Sequence, residues 1–191
     1  MGRAQLATFQ LAKWALRGEL PEANATALAT VDASGNPSAR MVLVKEVTED
    51  GFVFYTSYAS RKGTDLEANP KGALVFWWTW PPRQVRVEGV VHKVRPEVSD
   101  AYWRSRPRGS QLSAAASKQS AGLTDRSVLV AKVQELRARF EGTDVPRPPT
   151  WGGYELVPHA MEFWQGQADR LHERVRFTRE HSGWRAESLQ P

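Results

Sequence analysis

Alternation of hydrophobic and polar residues is the strongest pattern in this chain. Val85 and Val87 alternate with Gln84, Arg86 and Glu88, which is the period of a strand with one buried face. Turn signals separate several strand-like segments of this kind, at 27–31, 38–45, 52–56, 73–79, 84–94 and within 153–184. Many short antiparallel strands in succession are typical of a barrel.

Helical spacing marks the remaining segments. Leu129, Val133, Leu136 and Phe140 lie at i, i+4, i+7 and i+11, so they predict a helix over 126–140. Other helices are predicted at 3–17, 60–69, from 96 onwards and at 111–116. We therefore expect one domain over 1–191, of the α+β class and mainly β. It would be an antiparallel, Greek-key-like barrel with peripheral helices, an N-terminal helix within 1–20 and a helical insert at 96–141.

Composition narrows the possible chemistry. The 191 residues include 26 Lys and Arg, 21 Asp and Glu, eight Trp and no Cys, and the formal net charge is +5. Without cysteine, disulfides, thiolate nucleophiles and iron–sulfur centres are excluded. No apolar run is long enough for a membrane span and no secretory signal is visible, so we expect a cytoplasmic protein. Aromatic residues beside many cations fit either a nucleic-acid surface or a pocket for a flat anionic ligand.

Signature motifs of several enzyme classes are missing. There is no GxGxxG after a strand, no GxxxxGK[ST] and no GxSxG, which argues against Rossmann, P-loop and α/β-hydrolase sites. The histidines form no HExxH pair, so we expect no metal site. What remains is a set of small clusters of cations and hydroxyl groups, which are suited to holding phosphates.

Two of these clusters adjoin predicted strands. Arg40 and Lys45 lie five residues apart and would point to opposite faces of an ideal strand. A core strand with charged ends explains this segment more simply than a phosphate-binding site does. Tyr55 and Thr56 end a strand shortly before the Ser-Arg-Lys segment 60–62, where a predicted helix N-terminus would attract an anion. A solvated basic turn explains that segment equally well.

Two further clusters lie later in the chain. Tyr102 and Arg106 share one helical face, and Pro107 should end that helix so that Ser110 can approach. This group suits a phosphate monoester, although its many basic residues would also suit nucleic acid. The Arg-Leu-His-Glu-Arg segment 170–174 is predicted to place two arginines and a histidine on one strand face.

Taken in order, these clusters resemble the pyridoxamine/pyridoxine 5′-phosphate oxidase family from about residue 27 to the end. The resemblance rests on eight segments: 40–45, 60–62, 83–85, 105–108, 117–120, 151–153, 162–165 and 170–172. It implies an FMN-binding split β-barrel that forms homodimers with FMN between the subunits, and no nucleic-acid or membrane partner. It also implies oxidation of pyridoxine or pyridoxamine 5′-phosphate, with a hydride passing from substrate C4′ to flavin N5 and O2 giving H2O2.

The resemblance also assigns roles to individual residues. The implied FMN contacts are Arg40, Met41, Val42, Leu43, Lys45, Tyr55, Thr56, Arg61, Lys62, Gln84, Gln119, Ser120, Trp164 and Arg174. The implied contacts of the substrate phosphate are Lys45, Tyr102, Arg106 and Ser110. Arg170 and His172 would bind the substrate near its pyridine ring and act in catalysis. The tryptophans other than Trp164 are assigned to the core or an interface.

Lys45 conflicts with its assigned role, because an ideal strand would turn it away from Arg40. We therefore predict that Lys45 lies at a strand end or a β-bulge, or serves a different face of the cleft. The chain also departs from the family pattern, since the usual N-terminal extension over the substrate is not recognisable and Ser188 stands where arginine is common. The alternatives are a related flavin oxidase of the phenazine-biosynthesis type, a non-catalytic flavin-binding protein and a nucleic-acid-binding barrel.

Overall fold

A computed structural model describes residues 22–191; the helix predicted at 3–17 lies outside them. Within these residues six strands close a barrel: β1 (Ala25–Val31), β2 (Pro37–Val47), β3 (Phe52–Ser57), β4 (Lys71–Thr79), β5 (Pro82–Lys93) and β6 (Trp151–Gln165). Neighbouring strands are antiparallel in the order β3-β2-β1-β4-β5-β6, and β3 pairs with β6 to close the ring. The step from β3 to β4 passes over β2 and β1, which is the expected Greek-key-like connection.

The barrel is split along β6. One edge of β6 pairs with β5, while the other edge pairs first with β3 and then with β7 (Glu173–Glu180), which precedes β8 (Gly183–Ser188). Residues 151–156 face β3 and residues 160–165 face β7, so β6 leaves the barrel halfway along its length. The prediction of a mainly β split barrel is confirmed.

A close backbone contact accompanies this departure. The pairing of β5 with β6 shifts register between Glu88 and Gly89. A Cβ atom on Gly89 would lie 2.2 Å from the carbonyl oxygen of Val157, a distance that backbone atoms cannot accommodate. Glycine is therefore required where β5 crosses the split.

Helices cover two places on the barrel. In the described residues they are α1 (Arg61–Ala68) between β3 and β4, and α2 (Pro96–Ser105), α3 (Arg108–Ala116) and α4 (Arg126–Arg139) between β5 and β6. Ser60 caps α1 with its side chain and Pro107 separates α2 from α3, as predicted. The predicted stripe on α4 faces inward, with Val133, Leu136 and Phe140 packed against the core below it. None of the helices in residues 22–191 is both long and apolar enough to cross a membrane.

Two hydrophobic cores hold these layers together. The barrel interior is filled mainly by large side chains from all six strands, including Leu28, Val44, Phe52, Phe54, Leu74, Phe76, Val85, Val87 and Leu156. A second core of Trp103, Leu112, Val145 and Trp151 fixes α2 and α3 to the start of β6. The indole N–H of Trp103 donates to the Val145 carbonyl at 2.7 Å, which satisfies the polar atom of that buried ring.

The outer face of β2, β1 and β4 is apolar although it faces solvent in a single chain. Met41, Leu43 and Trp77 are 65%, 38% and 52% exposed. Ala25 and Ala27 of β1 pair with Leu43 and Met41, so small side chains separate the large ones. A contiguous apolar face of this kind is typical of a surface that another protein covers.

The close contact between Gly89 and the β6 backbone predicts that the fold is sensitive to a side chain at this position. Gly89→Ala should lower the free energy of unfolding by about 1–3 kcal/mol, because its methyl group collides with the β6 backbone. Gly109→Ala is the matched control, since a Cβ atom there has no neighbour within 4 Å and α3 should gain up to about 1 kcal/mol. Urea unfolding followed by tryptophan fluorescence measures both, and equal effects of the two substitutions would contradict the contact.

Candidate active site

A cavity of about 480 Å³ lies between the barrel wall and the helical layer. Eleven residues predicted from the sequence line it: Met41, Val42, Leu43, Lys45, Tyr55, Thr56, Lys62, Tyr102, Arg106, Ser110 and Gln119. Ser105, Pro107 and Trp151 complete the lining and were not predicted as site residues. Among these described residues none is acidic, whereas Lys45, Lys62 and Arg106 are cations. The cavity is therefore suited to an anionic ligand.

Lys45 reaches this cavity at an irregular point of β2. The pairing of β2 with β3 shifts between Val44 and Glu46, which places Lys45 in a β-bulge and confirms that prediction. Lys45 lines the cavity together with Met41 and Leu43, the preceding residues on the same face of β2. Because side chains alternate along β2, Lys45 points to the face of the strand opposite to that of Arg40.

Arg40 lies on the other face of β2, against α1. Its guanidinium donates to Thr30 Oγ1 at 2.6 Å and to Ser38 Oγ at 2.8 Å, and it lies 3.4 Å from a carboxylate oxygen of Asp65. The Thr30 hydroxyl donates in turn to the same Asp65 oxygen at 2.6 Å. Burial lowers the pKa of Arg40, and the charge of Asp65 opposes that shift. Arg40 is therefore held by a network behind the cavity and does not line it.

Lys62, the second residue of α1, is a buried cation with neutral partners. Its Nζ donates to Thr56 Oγ1, Ser60 Oγ and Gln119 Oε1 at 3.2, 3.3 and 3.2 Å. Burial lowers the pKa of Lys62 and repulsion from Arg40 lowers it further, while the charge of Asp65 opposes the shift. An anion beside the ammonium group would relieve both effects.

A neighbouring cavity of about 700 Å³ is lined by further residues that were predicted to contact FMN. Arg61 and Ser120 line it, and Gln119 and Trp151 line both cavities. The start of α1, where free backbone N–H groups also favour an anion, is thus surrounded by four of the predicted FMN contacts: Arg61, Lys62, Gln119 and Ser120.

Gln84, Trp164 and Arg174 form a second cluster, on the outer face of β5, β6 and β7. Gln84 pairs with Trp164, and Trp164 pairs with Arg174. The guanidinium of Arg174 lies 2.7 Å from a carboxylate oxygen of Glu162, and it donates to the Gln190 carbonyl at 2.9 Å. Glu162 and the last residues of the chain therefore fix Arg174.

The prediction that Arg170, His172 and Arg174 share one strand face is wrong. Strand β7 begins only at Glu173. Arg170 ends a 3₁₀ turn in which Asp169 and Arg170 have φ values of 55° and 60°. The chain must reverse there to join the antiparallel strands β6 and β7, so the alternation of side chains does not extend through it.

His172 follows this turn and has a defined hydrogen bond. Its Nδ1 accepts from the backbone N–H of Gln167 at 3.2 Å, and its ring packs 4.6 Å from the ring of Trp164. A neutral imidazole that accepts at Nδ1 carries its hydrogen on Nε2. His172 is thereby set to donate a hydrogen bond from Nε2.

The second cluster is separate from the cavity within one chain. None of Gln84, Trp164, His172 and Arg174 lines the cavity of about 480 Å³ or the neighbouring cavity of about 700 Å³. One chain alone does not bring Gln84, Trp164, His172 and Arg174 to the cavity.

Comparison with known proteins gives consistent results over nearly the whole chain. A family model described as pyridoxamine 5′-phosphate oxidase matches residues 13–140, and one described as the pyridoxine 5′-phosphate oxidase C-terminal dimerisation region matches residues 151–191. A pyridoxine/pyridoxamine 5′-phosphate oxidase of Burkholderia thailandensis is 53% identical over 182 residues, which cover 94% of this chain and 85% of that protein. The corresponding protein of Rubrobacter xylanophilus is 52% identical, with 95% and 85% covered.

Solved structures show the same fold. PhzG from Burkholderia lata, in complex with tetrahydrophenazine-1-carboxylic acid, has a TM-score of 0.86 at 34% identity, with 99% of this chain and 90% of that chain covered. A pyridoxamine 5′-phosphate oxidase-related, FMN-binding protein from Nostoc punctiforme has a TM-score of 0.77 at 16% identity, with 100% and 99% covered. The second likeness concerns the fold alone.

The buried ammonium of Lys62 predicts opposite effects on stability and on ligand binding. Lys62→Met should maintain or raise the melting temperature of the FMN-free protein, because it removes a buried charge that has only neutral acceptors. The same substitution should weaken FMN binding about ten- to a hundredfold, through loss of a charge-assisted hydrogen bond. Flavin fluorescence quenching measures the affinity and thermal unfolding measures the stability.

The pH dependence provides a further check on this prediction. Since the pKa of Lys62 is lowered in the free protein, FMN affinity should fall as the pH rises through that pKa, and Lys62→Met should lack this fall. Lys93→Met removes a surface cation that pairs with Glu67 and should change neither property appreciably. FMN affinity that is unaffected by Lys62→Met would contradict the prediction.

Proposed function

The chain belongs to the pyridoxamine 5′-phosphate oxidase family, and from that premise we propose that it is an FMN-dependent oxidase that forms pyridoxal 5′-phosphate. The proposed substrates are pyridoxine 5′-phosphate and pyridoxamine 5′-phosphate. The observation that carries the proposal is one cavity that contains Lys45, Tyr102, Arg106 and Ser110 and whose described lining has no acidic residue.

These four side chains suit the phosphate of the substrate. Lys45 and Arg106 supply positive charge, and Tyr102 and Ser110 supply hydroxyl donors. A phosphate monoester accepts several charge-assisted hydrogen bonds at once, so the set would bind the phosphorylated end of the substrate and leave the pyridine ring to be oriented by other contacts.

The surrounding residues also fit FMN. Arg61, Lys62 and Ser120 would hold its phosphate at the start of α1, and Met41 and Leu43 offer an apolar wall for its ring. When bound, FMN would accept a hydride from substrate C4′ and pass two electrons to O2, giving H2O2. The protein's own contribution is to hold the substrate carbon against the ring and to neutralise two phosphates.

A second copy of the chain would complete the site. The dimerisation region matched at 151–191 contains Trp164, His172 and Arg174, which do not line the cavity of their own chain. A second copy packed on the apolar face of Met41 and Trp77 would bury that face. A two-fold axis would then bring the second cluster of each copy to the cavity of the other.

Arg170 and His172 are proposed to contact the substrate ring from this second copy. Because His172 accepts from Gln167 at Nδ1, its Nε2–H would donate to an oxygen of the substrate and would not remove a proton. The exposed Arg170 would cover the ring from the turn between β6 and β7.

An oxidase of the phenazine type is the second candidate. The PhzG structure, which is 34% identical to this chain, binds a tetrahydrophenazine carboxylic acid. The cluster of Lys45, Tyr102, Arg106 and Ser110 favours the phosphorylated substrate, because a carboxylate carries less charge and fewer acceptor atoms than a phosphate.

The absorbance spectrum tests the proposed function. The purified protein should contain FMN or take it up, and anaerobic addition of pyridoxine 5′-phosphate should bleach the flavin band, which returns with O2. Unphosphorylated pyridoxine should bleach it far more slowly, since it lacks the group that Lys45 and Arg106 bind. Failure to take up FMN would contradict the proposal. Bleaching by a reduced phenazine carboxylate, and not by pyridoxine 5′-phosphate, would favour the second candidate.

A further inference from the structure

Arg106 is held differently from Arg40 and Arg174, two other arginines assigned to the site. Arg40 lies 3.4 Å from Asp65 and Arg174 lies 2.7 Å from Glu162, so a carboxylate accompanies each. In residues 22–191 no carboxylate forms an ion pair with Arg106. Its positive charge therefore remains available to a ligand.

Two indole rings take the place of the missing carboxylate. The Cζ atom of Arg106 lies 4.6 Å from the ring centroid of Trp151 and 5.3 Å from that of Trp103. Both tryptophans are buried, at 5% and 2% exposure. An aromatic face attracts a cation through its quadrupole and carries no net charge, so it holds the guanidinium without cancelling the charge that an incoming phosphate experiences.

Trp151 is itself rigidly placed. Its backbone N–H donates to the Pro148 carbonyl at 2.9 Å, and its carbonyl accepts from the Arg147 guanidinium at 2.6 Å. Its ring also lies nearly parallel to those of Tyr55 and Tyr102, at interplanar angles of 14° and 5° and centroid distances of 5.7 and 6.2 Å. Trp151 is thus a fixed surface at the border of the cavity, not a side chain that adapts to the ligand.

Arg106 has donors left for a ligand in this arrangement. One guanidinium nitrogen donates to the Ser110 carbonyl at 3.1 Å, and the structure describes no other hydrogen bond of this guanidinium within residues 22–191. Arg106, Ser110 and Trp151 line the same cavity. The remaining N–H groups can therefore bind a phosphate while the indole fixes the plane from which they project.

We propose that Trp151 is a positioning residue that acts through Arg106 and sets the preference for a phosphorylated substrate. This inference rests on the proposed function of the same cavity. Trp151→Phe keeps an aromatic face beneath the guanidinium, whereas Trp151→Leu keeps an apolar side chain and removes the quadrupole. Trp151→Leu should raise KM for pyridoxine 5′-phosphate about three- to thirtyfold with a smaller change in kcat, and Trp151→Phe should change KM much less.

A double-mutant cycle separates this role from simple packing. In the Arg106→Met background, Trp151→Leu should have little further effect on KM, because the group that it positions is gone. Trp184→Leu is the matched control, since Trp184 packs against the barrel core and should affect stability without affecting KM. If Trp151→Leu multiplies KM by the same factor with and without Arg106, Trp151 is only a packing residue and the inference is wrong.

Binding of inorganic phosphate to the FMN-loaded protein gives a test that needs no turnover. Titration calorimetry should show phosphate binding that is weakened by Trp151→Leu and by Arg106→Met, and retained in Trp151→Phe. If the wild-type protein oxidises no pyridine substrate, the proposed function fails, and the phosphate titration still decides the role of Trp151. Equal phosphate affinity of the wild-type protein and Trp151→Leu would overturn the inference.

Discussion

Positive charge without a paired carboxylate, around a cavity whose described lining has no acidic residue, is the constraint on which the rest of this site depends. Lys62 is buried among three neutral hydrogen-bond acceptors and Arg106 lies on two indole rings, and neither forms an ion pair with a carboxylate in residues 22–191. Burial lowers the pKa of both groups, which means that the ligand-free protein maintains them at a cost in stability. Dianionic phosphates would offset that cost in stability, and the cations that bind them would already be in position in the ligand-free protein.

The fold supports this arrangement through its two cores. The barrel core fixes β2 and β3, while the second core, which includes Trp103 and Trp151, fixes the helices opposite them. Neither core alone encloses the cavity. The split in β6 has a separate consequence, because it carries Trp164 and Arg174 away from the cavity and onto the outer face of the sheet. In the proposed dimer, a second copy would bring the two groups of residues together.

The sequence predicted those features that depend on local spacing. Strand alternation located the barrel strands, and the conflict between Arg40 and Lys45 pointed to the bulge that the structure contains. The alternation of basic residues at 170–174 led to a wrong prediction, because residues in a turn between antiparallel strands can show the same two-residue period as a strand. The partners of Arg40 and Arg174 were missed since Asp65 and Glu162 are brought to them only by folding. Trp151 was predicted to lie in the core or an interface, and the sequence gives no sign that one indole can belong to a core and line a cavity as well.

The central claim is that two copies of the chain form each site, and the activity of mixed dimers tests it most directly. One copy would carry Arg106→Met, which damages the cavity, and the other His172→Ala, which damages the second cluster. Two affinity tags would allow the mixed dimer to be purified. At substrate concentrations near the wild-type KM, each homodimer of a single variant should have only a small fraction of the wild-type activity, whereas the mixed dimer should recover about half of it, because one of its two sites is intact. A mixed dimer as inactive as its parents would contradict the shared site.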